Sequence, residues 1–221
     1  MIKTVRAVIF DMDGVIFDSE KLVIECWNVV AETYGIENIE AACRECLGLN
    51  REAAKKKMIM RYGPDFPYDT YKQEMADLFH NRYSGGRLPL KPGVVELLTY
   101  LKNYQIKIAL ASSTRSQVVM AELRDAGILG YFDQVVCGDM VERSKPAPDI
   151  FLKACELLQV EPGQAYAVED SYNGIRSAYN GGLQPIMVPD LAEPTEEMKE
   201  LAVTILPTLL DVMEFLGGNN R

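Results

Sequence analysis

Histidine is almost absent from this chain: His80 stands alone among 221 residues. Cysteine is sparse too, and an odd five without an export signal reads as reduced thiols. Cys43 and Cys46 form a CxxC, but no second Cys/His pair is at hand to complete a zinc site. The pair lies in an Ala-rich helical stretch, AACRECLGL, and reads as two half-buried helix thiols. Long apolar runs are missing: nothing approaches the roughly 20 residues that span a bilayer. The apolar start of MIKTVRAVIFDMD is broken by acids with no small-residue cleavage site behind it, which argues against a signal peptide and for the cytoplasm. Positive charge is in deficit, with 23 Lys and Arg against 32 Asp and Glu, a net −9. That field repels nucleic acid and anionic membranes, so neither is an expected partner. A small anionic substrate remains compatible where a cation or a few local positive groups invert the potential.

What is present is ordinary globular material, 48% hydrophobic and 25% charged, enough for one large domain or a domain with a sizeable insertion. Five continuous apolar runs read as buried parallel strands: residues 4–10, 106–111, 134–137, 165–168 and 185–188. Helical segments alternate with the last four. Pro92 opens PGVVELLTYLKNY at a first-turn position, and Gly127 and Gly181 read as left-handed helix stops. The alternation implies a doubly wound, Rossmann-like α/β core. Between Asp18 and Pro92 the pattern breaks into helices with no convincing strand. Ser19 can cap SEKLVIECWNVVAETY, where Leu22, Val23, Trp27, Val30 and Tyr34 recur at helical spacing. This stretch reads as an all-α subdomain inserted after the first strand, with Trp27 in its core. Lys55–Lys56–Lys57 reads as a solvated helix face.

In open α/β sheets ligands bind beyond the carboxyl ends of the strands. Here those ends carry Asp11 and Asp13, then Ser112–Ser113–Thr114, then Asp139 with Lys145 shortly after, then Glu169–Asp170–Ser171. Acids clustered in one crevice are costly unless a cation neutralises them, and hard oxygen donors without His or Cys suit Mg²⁺. Lys145 and the Ser112 hydroxyl suit a phosphate. A carboxylate in such a place can attack phosphorus, and a second acid two positions on can handle protons.

DMDGV, ASST, KPAPD and VEDS follow the order and approximate spacing of the four motifs of the haloacid dehalogenase superfamily. Over essentially its whole length the chain resembles the β-phosphoglucomutase and sugar-phosphate phosphatase branch, which carries a helical cap after the first motif. The resemblance implies a core of residues 1–17 and 88–221 with a cap at 18–87. It implies Asp11 as nucleophile and Asp13 as general acid/base. Ser112, Ser113 and Lys145 would bind the phosphoryl group. Asp11, the Asp13 carbonyl and Asp170 would ligate Mg²⁺, with Glu169 as a further ligand or partner. Glu20 is a further substrate-binding candidate. GLNRE resembles the cap loop that reaches the active site, making Arg51 a substrate contact; His80 and Arg82 are weighed as substrate-facing against an exposed helix position.

Within the superfamily, Asp13 and the acidic fourth motif argue against dehalogenase and phosphonate-cleaving chemistry. The β-phosphoglucomutase pattern has a His shortly after the first motif, where this chain has Val23. That departure favours a phosphatase acting on a small phosphorylated metabolite, a sugar phosphate first, over a phosphosugar mutase. A phospho-accepting signalling module is disfavoured by Asp13 and the helical insertion. A monomer is expected.

Overall fold

The computed structural model describes residues 5–46 and 51–219, the side chains of Arg51 and Asn219 excepted. Six strands, β1 (Ala7–Phe10), β2 (Lys107–Ser112), β3 (Gln134–Cys137), β4 (Ala165–Glu169), β5 (Gln184–Met187) and β6 (Thr204–Ile205), form one parallel sheet in the order β3-β2-β1-β4-β5-β6. Helices α1 (Glu20–Tyr34), α2 (Ile39–Arg44), α3 (Arg51–Tyr62) and α4 (Tyr68–Tyr83) lie between β1 and β2 in sequence. The remaining helices, α5 (Val94–Asn103), α6 (Ser116–Asp125), α7 (Asp149–Leu158), α8 (Tyr172–Asn180), α9 (Glu196–Leu201) and α10 (Leu209–Asn219), belong to the sheet. The core is the expected doubly wound α/β fold. No described helix is long and apolar enough to cross a membrane.

The continuous apolar runs hide a division of labour with period two. Val8, Phe10, Ile108 and Leu110 point to one face, where Leu97 and Leu98 of α5 and Val212 and Leu216 of α10 cover them. Ala7, Ile9, Ala109, Ala111 and Ala167 point to the other, where α7 lays Ile150, Phe151 and Ala154 across them. Large side chains fill one layer. On the other, alanines leave room for Phe151 and let α7 sit close.

The four inserted helices bury a cluster of their own, built on Trp27, Phe66, Tyr68, Tyr71 and Met75. Trp27 stacks on Tyr71 at 4.8 Å between ring centroids, and the Tyr71 hydroxyl donates to the Trp27 carbonyl oxygen. The chain enters and leaves the insert side by side. Phe17 and Leu90 form an antiparallel bridge, Asp18 N–H donates to the Pro89 carbonyl at 2.9 Å, and Lys91 N–H donates to the Ile16 carbonyl at 2.9 Å.

Local signals shift by a residue or two. Helix α5 starts at Val94, after Gly93 at φ +88°, so Pro92 precedes the helix rather than occupying its first turn. At the end of α8 the left-handed glycine is Gly182, φ +76°, not Gly181. Strand β6 is too short to leave an apolar run of its own. Ser19 precedes α1 without capping it, for a reason found at the active site. Of the three lysines, Lys55 pairs with Asp69 and Lys57 with Glu45, while Lys56 is exposed.

Leu98 is fully buried against the sheet. Leu98→Ala is expected to cost about 2–5 kcal/mol, read as a lower urea midpoint with unchanged slope.

Candidate active site

All six strands run in one direction, so their carboxyl ends share one edge of the sheet. The Asp11 amide continues the β1–β4 ladder by donating to the Val168 carbonyl at 3.0 Å, which fixes the Asp11 side chain beside Glu169 and Asp170. The chain then turns at Gly14, φ +78°. A Cβ there would stand 2.3 Å from an Asp170 carboxylate oxygen, so only glycine lets the two segments approach.

Lys145 is the hub. Its ammonium donates to Asp11 Oδ1 at 2.5 Å, to Glu169 Oε1 at 2.5 Å and to the Ala111 carbonyl at 3.0 Å, so all three protons are committed. Burial pulls the Lys145 pKa down, but the Asp11 and Glu169 carboxylates outweigh it and hold it above the ordinary lysine value. Glu169 is fully buried; its other oxygen accepts from the Ser171 amide at 3.2 Å and the Ser171 hydroxyl at 3.0 Å. Gly174 passes so close that any Cβ would strike the Glu169 carboxylate.

One lysine cannot balance this many acids. Burial, opposed by Lys145 and reinforced by the charges of Glu169 and Asp13, pushes Asp11 up to about 8. Burial, then the charges of Glu169, Asp11, Glu20 and Asp190, raises Asp170 as well. Asp11, Glu169 and Asp170 each offer one carboxylate oxygen, all within 4.8 Å of one another. Three hard donors with uncompensated charge and no sulfur or nitrogen among them fit a hard divalent cation.

Asp13 is held differently. Ser19 Oγ donates to its Oδ1 at 2.9 Å and Thr114 Oγ1 to its Oδ2 at 3.2 Å. This is why Ser19 does not cap α1: its buried hydroxyl serves Asp13 instead of the helix amides. Burial raises the Asp13 pKa, against those two hydrogen bonds. Ser112 is buried at the end of β2 with its Oγ accepting the Thr114 amide at 3.1 Å, and Ser113 beside it is exposed. Asp11, Asp13, Ser112, Lys145, Glu169 and Asp170 thus meet at one edge.

Above them opens a cavity of about 470 Å³ between sheet and inserted helices, with Asp13, Glu20, Val23, Trp27, Lys72 and Thr114 in its wall. Cys43, buried, and Cys46, half-buried, line it too. Burial, then the charges of Asp13 and Asp190, pushes Glu20 up to about 7. Lys72, unremarked in the sequence, stands with its ammonium 5.4 Å from the Trp27 ring centroid. Its signal was position: it follows buried Tyr71 and lies one helical turn after Tyr68, which also lines the cavity. His80 and Arg82 are exposed and neither lines this cavity. Residues 48–50 of the GLNRE loop and the Arg51 side chain lie outside the described residues.

The family model of haloacid dehalogenase-like hydrolases matches residues 8–188. The chain belongs to that family, an enzyme family of hydrolases. It is 34% identical over 181 residues to a phosphorylated carbohydrates phosphatase of Thermotoga maritima, covering 82% of this chain and 83% of that one. It is 32% identical over 202 residues to a β-phosphoglucomutase of Bacillus subtilis, covering 84% and 88%. Among solved structures, CbbY of Rhodobacter sphaeroides in complex with phosphate superposes with a TM-score of 0.74 at 27% identity, covering 95% of this chain and 96% of that one.

Glu20 binds a proton more readily folded, near pH 7, than at its ordinary value of 4.5. Its contribution to stability is therefore full below about pH 4.5 and lost as pH rises through 7. Metal-free protein is expected to lose stability between pH 5 and pH 8, and Glu20→Gln to lose less, as urea midpoints at the two pH values would read.

Proposed function

We propose that this hydrolase is a Mg²⁺-dependent phosphatase that cleaves a small phosphorylated metabolite, a sugar phosphate first, through an aspartyl-phosphate on Asp11. The observation that carries the reading is the contact of Lys145 with both Asp11 and Glu169, with Asp13 in the wall of the cavity next to them. The names of the relatives, a carbohydrate phosphatase and a β-phosphoglucomutase, support the substrate class.

In this reading the Asp11 carboxylate attacks phosphorus while Asp13, protonated, gives its proton to the departing ester oxygen as the P–O bond breaks. Water then attacks the phosphoryl group, Asp13 takes its proton, and the P–O bond to Asp11 breaks, returning the carboxylate and releasing phosphate. The raised pKa of Asp13 suits the first step, and the Ser19 and Thr114 hydroxyls hold it for the second. Lys145 favours the ionised form of Asp11, against its burial, and aims it. Ser112, Ser113 and Lys145 would receive the phosphoryl oxygens. Asp11, Asp170 and the Asp13 carbonyl would hold Mg²⁺, with Glu169 beside them; the cation would neutralise the acids and polarise a phosphoryl oxygen when bound.

We take residues 18–87 as a cap on a core of 1–17 and 88–221, acting as a monomer in the cytoplasm. The cap excludes water and supplies Glu20, Arg51 and Lys72 to the substrate. The similarity to a β-phosphoglucomutase keeps a mutase as the second reading. Val23 in the cavity wall argues for water as acceptor, since an apolar side chain there moves no proton.

The test is phosphate release from a panel of phosphorylated metabolites, with glucose 6-phosphate followed from β-glucose 1-phosphate. Release that requires Mg²⁺, is abolished by EDTA and falls about 10³-fold or more in Asp11→Asn supports the phosphatase. Asp13→Asn is expected to lower kcat about 10²–10⁴-fold. Lys72→Met is expected to raise KM more than it lowers kcat. Glucose 6-phosphate formed without phosphate release would establish the mutase, and absence of turnover on every substrate would overturn both.

A further inference from the structure

A second cavity, of about 290 Å³, lies where the insert rejoins the core. It shares no lining residue with the active-site cavity. One wall is Phe17, His80, Tyr83 and, from the returning stretch, Ser84, Gly85, Gly86 and Leu88; the other is the flank of α6, with Gln117, Val118, Glu122 and Asp125. We propose that this cavity binds a small organic cation of the arylalkylammonium class, its ammonium on Glu122 and its ring against Tyr83, Phe17 and Leu88.

The charge pattern comes first. The wall contains two carboxylates, Glu122 and Asp125, and no lysine or arginine. Glu122 is half-buried and its side chain makes no ion pair or hydrogen bond among the described residues. A carboxylate partly withdrawn from water with no cation beside it leaves its charge unbalanced, and an occupant carrying positive charge would balance it. Burial, then the charges of Asp13 and Asp125, raises Glu122 to about 7.

The rest of the wall says what kind of cation. A metal ion would find Glu122, Asp125 and His80 in the wall, but among the described residues these three do not converge as Asp11, Glu169 and Asp170 do. An anion would be repelled by both carboxylates. Phe17, Tyr83, Leu88 and Val118 instead offer an apolar surface of ring size beside the acid. An aryl group and an ammonium a few bonds apart match that pairing, and an aromatic face next to the charge adds to it. Because the walls come from α4 and its returning linker on one side and α6 on the other, an occupant would tie the insert to the core.

The probe is phenethylammonium chloride, with 2-phenylethanol as its neutral counterpart. The chain has a single histidine, and it lines this cavity, so the His80 imidazole proton signals give an unambiguous NMR report. The expected result is a saturable shift of those signals with the amine, weakened about tenfold or more by Glu122→Gln and about as much on replacing the amine by the alcohol. Absence of a saturable shift overturns the proposal, as does equal affinity for amine and alcohol in the wild-type protein. Equal amine affinity in Glu122→Gln also overturns it, by exposing attraction to the acidic surface at large. Binding rather than turnover is measured, so the result stands apart from the phosphatase reading.

Discussion

Everything at the sheet's carboxyl edge depends on one buried ammonium shared between two carboxylates. Lys145 joins the end of β1, through Asp11, to the end of β4, through Glu169, and anchors on the Ala111 carbonyl of β2. Three adjacent strands are thereby pinned where their ladders end. An isolated buried charge would be ruinous and a single ion pair close to neutral, but a cation with all its protons placed makes the assembly tolerable. It does not make it neutral. The remaining negative charge of Asp11, Asp13 and Asp170 is what a hard cation would neutralise.

The two glycines beside this hub show how little slack it has. Gly14 gives Asp170 room, and Gly174 gives Glu169 room. Each lies in the chain segment next to an acid rather than in the acid itself, so the motif residues depend on neighbours whose contribution is an absent side chain. The same logic governs the back of the sheet, where alanines on β1, β2 and β4 let α7 approach closely enough for its Phe151 ring to lie 5.0 Å from the Lys145 ammonium.

The core was largely legible because its signals are local and redundant. Apolar runs led into acids at the first, third and fourth strands and into hydroxyls at the second, and a run fully buried on both faces needs no partner to be recognised. What failed to show were features set by tertiary geometry. Ser19 has every mark of a helix cap, yet it follows Asp13 by six residues across a tight turn, and a buried carboxylate is the stronger claim on its hydroxyl. Lys72 looked like any surface lysine until the insert folded over the sheet. β6, two residues long, has no pattern to read. His80 has the exposed helix position weighed for it, but that it lines a second hollow could not be read from the sequence.

The insert hangs from two strands of chain that run past each other, bonded between Asp18 and Pro89 and between Ile16 and Lys91. Its two ends are therefore nearly one point on the core surface. From the sheet's side, whatever lies between Asp18 and Pro89 is a closed loop whose base is already stitched, and closing it adds little entropy whatever its length. A different set of helices could be spliced at the same seam provided that the Ser19 hydroxyl, which lies just inside it, still reaches Asp13.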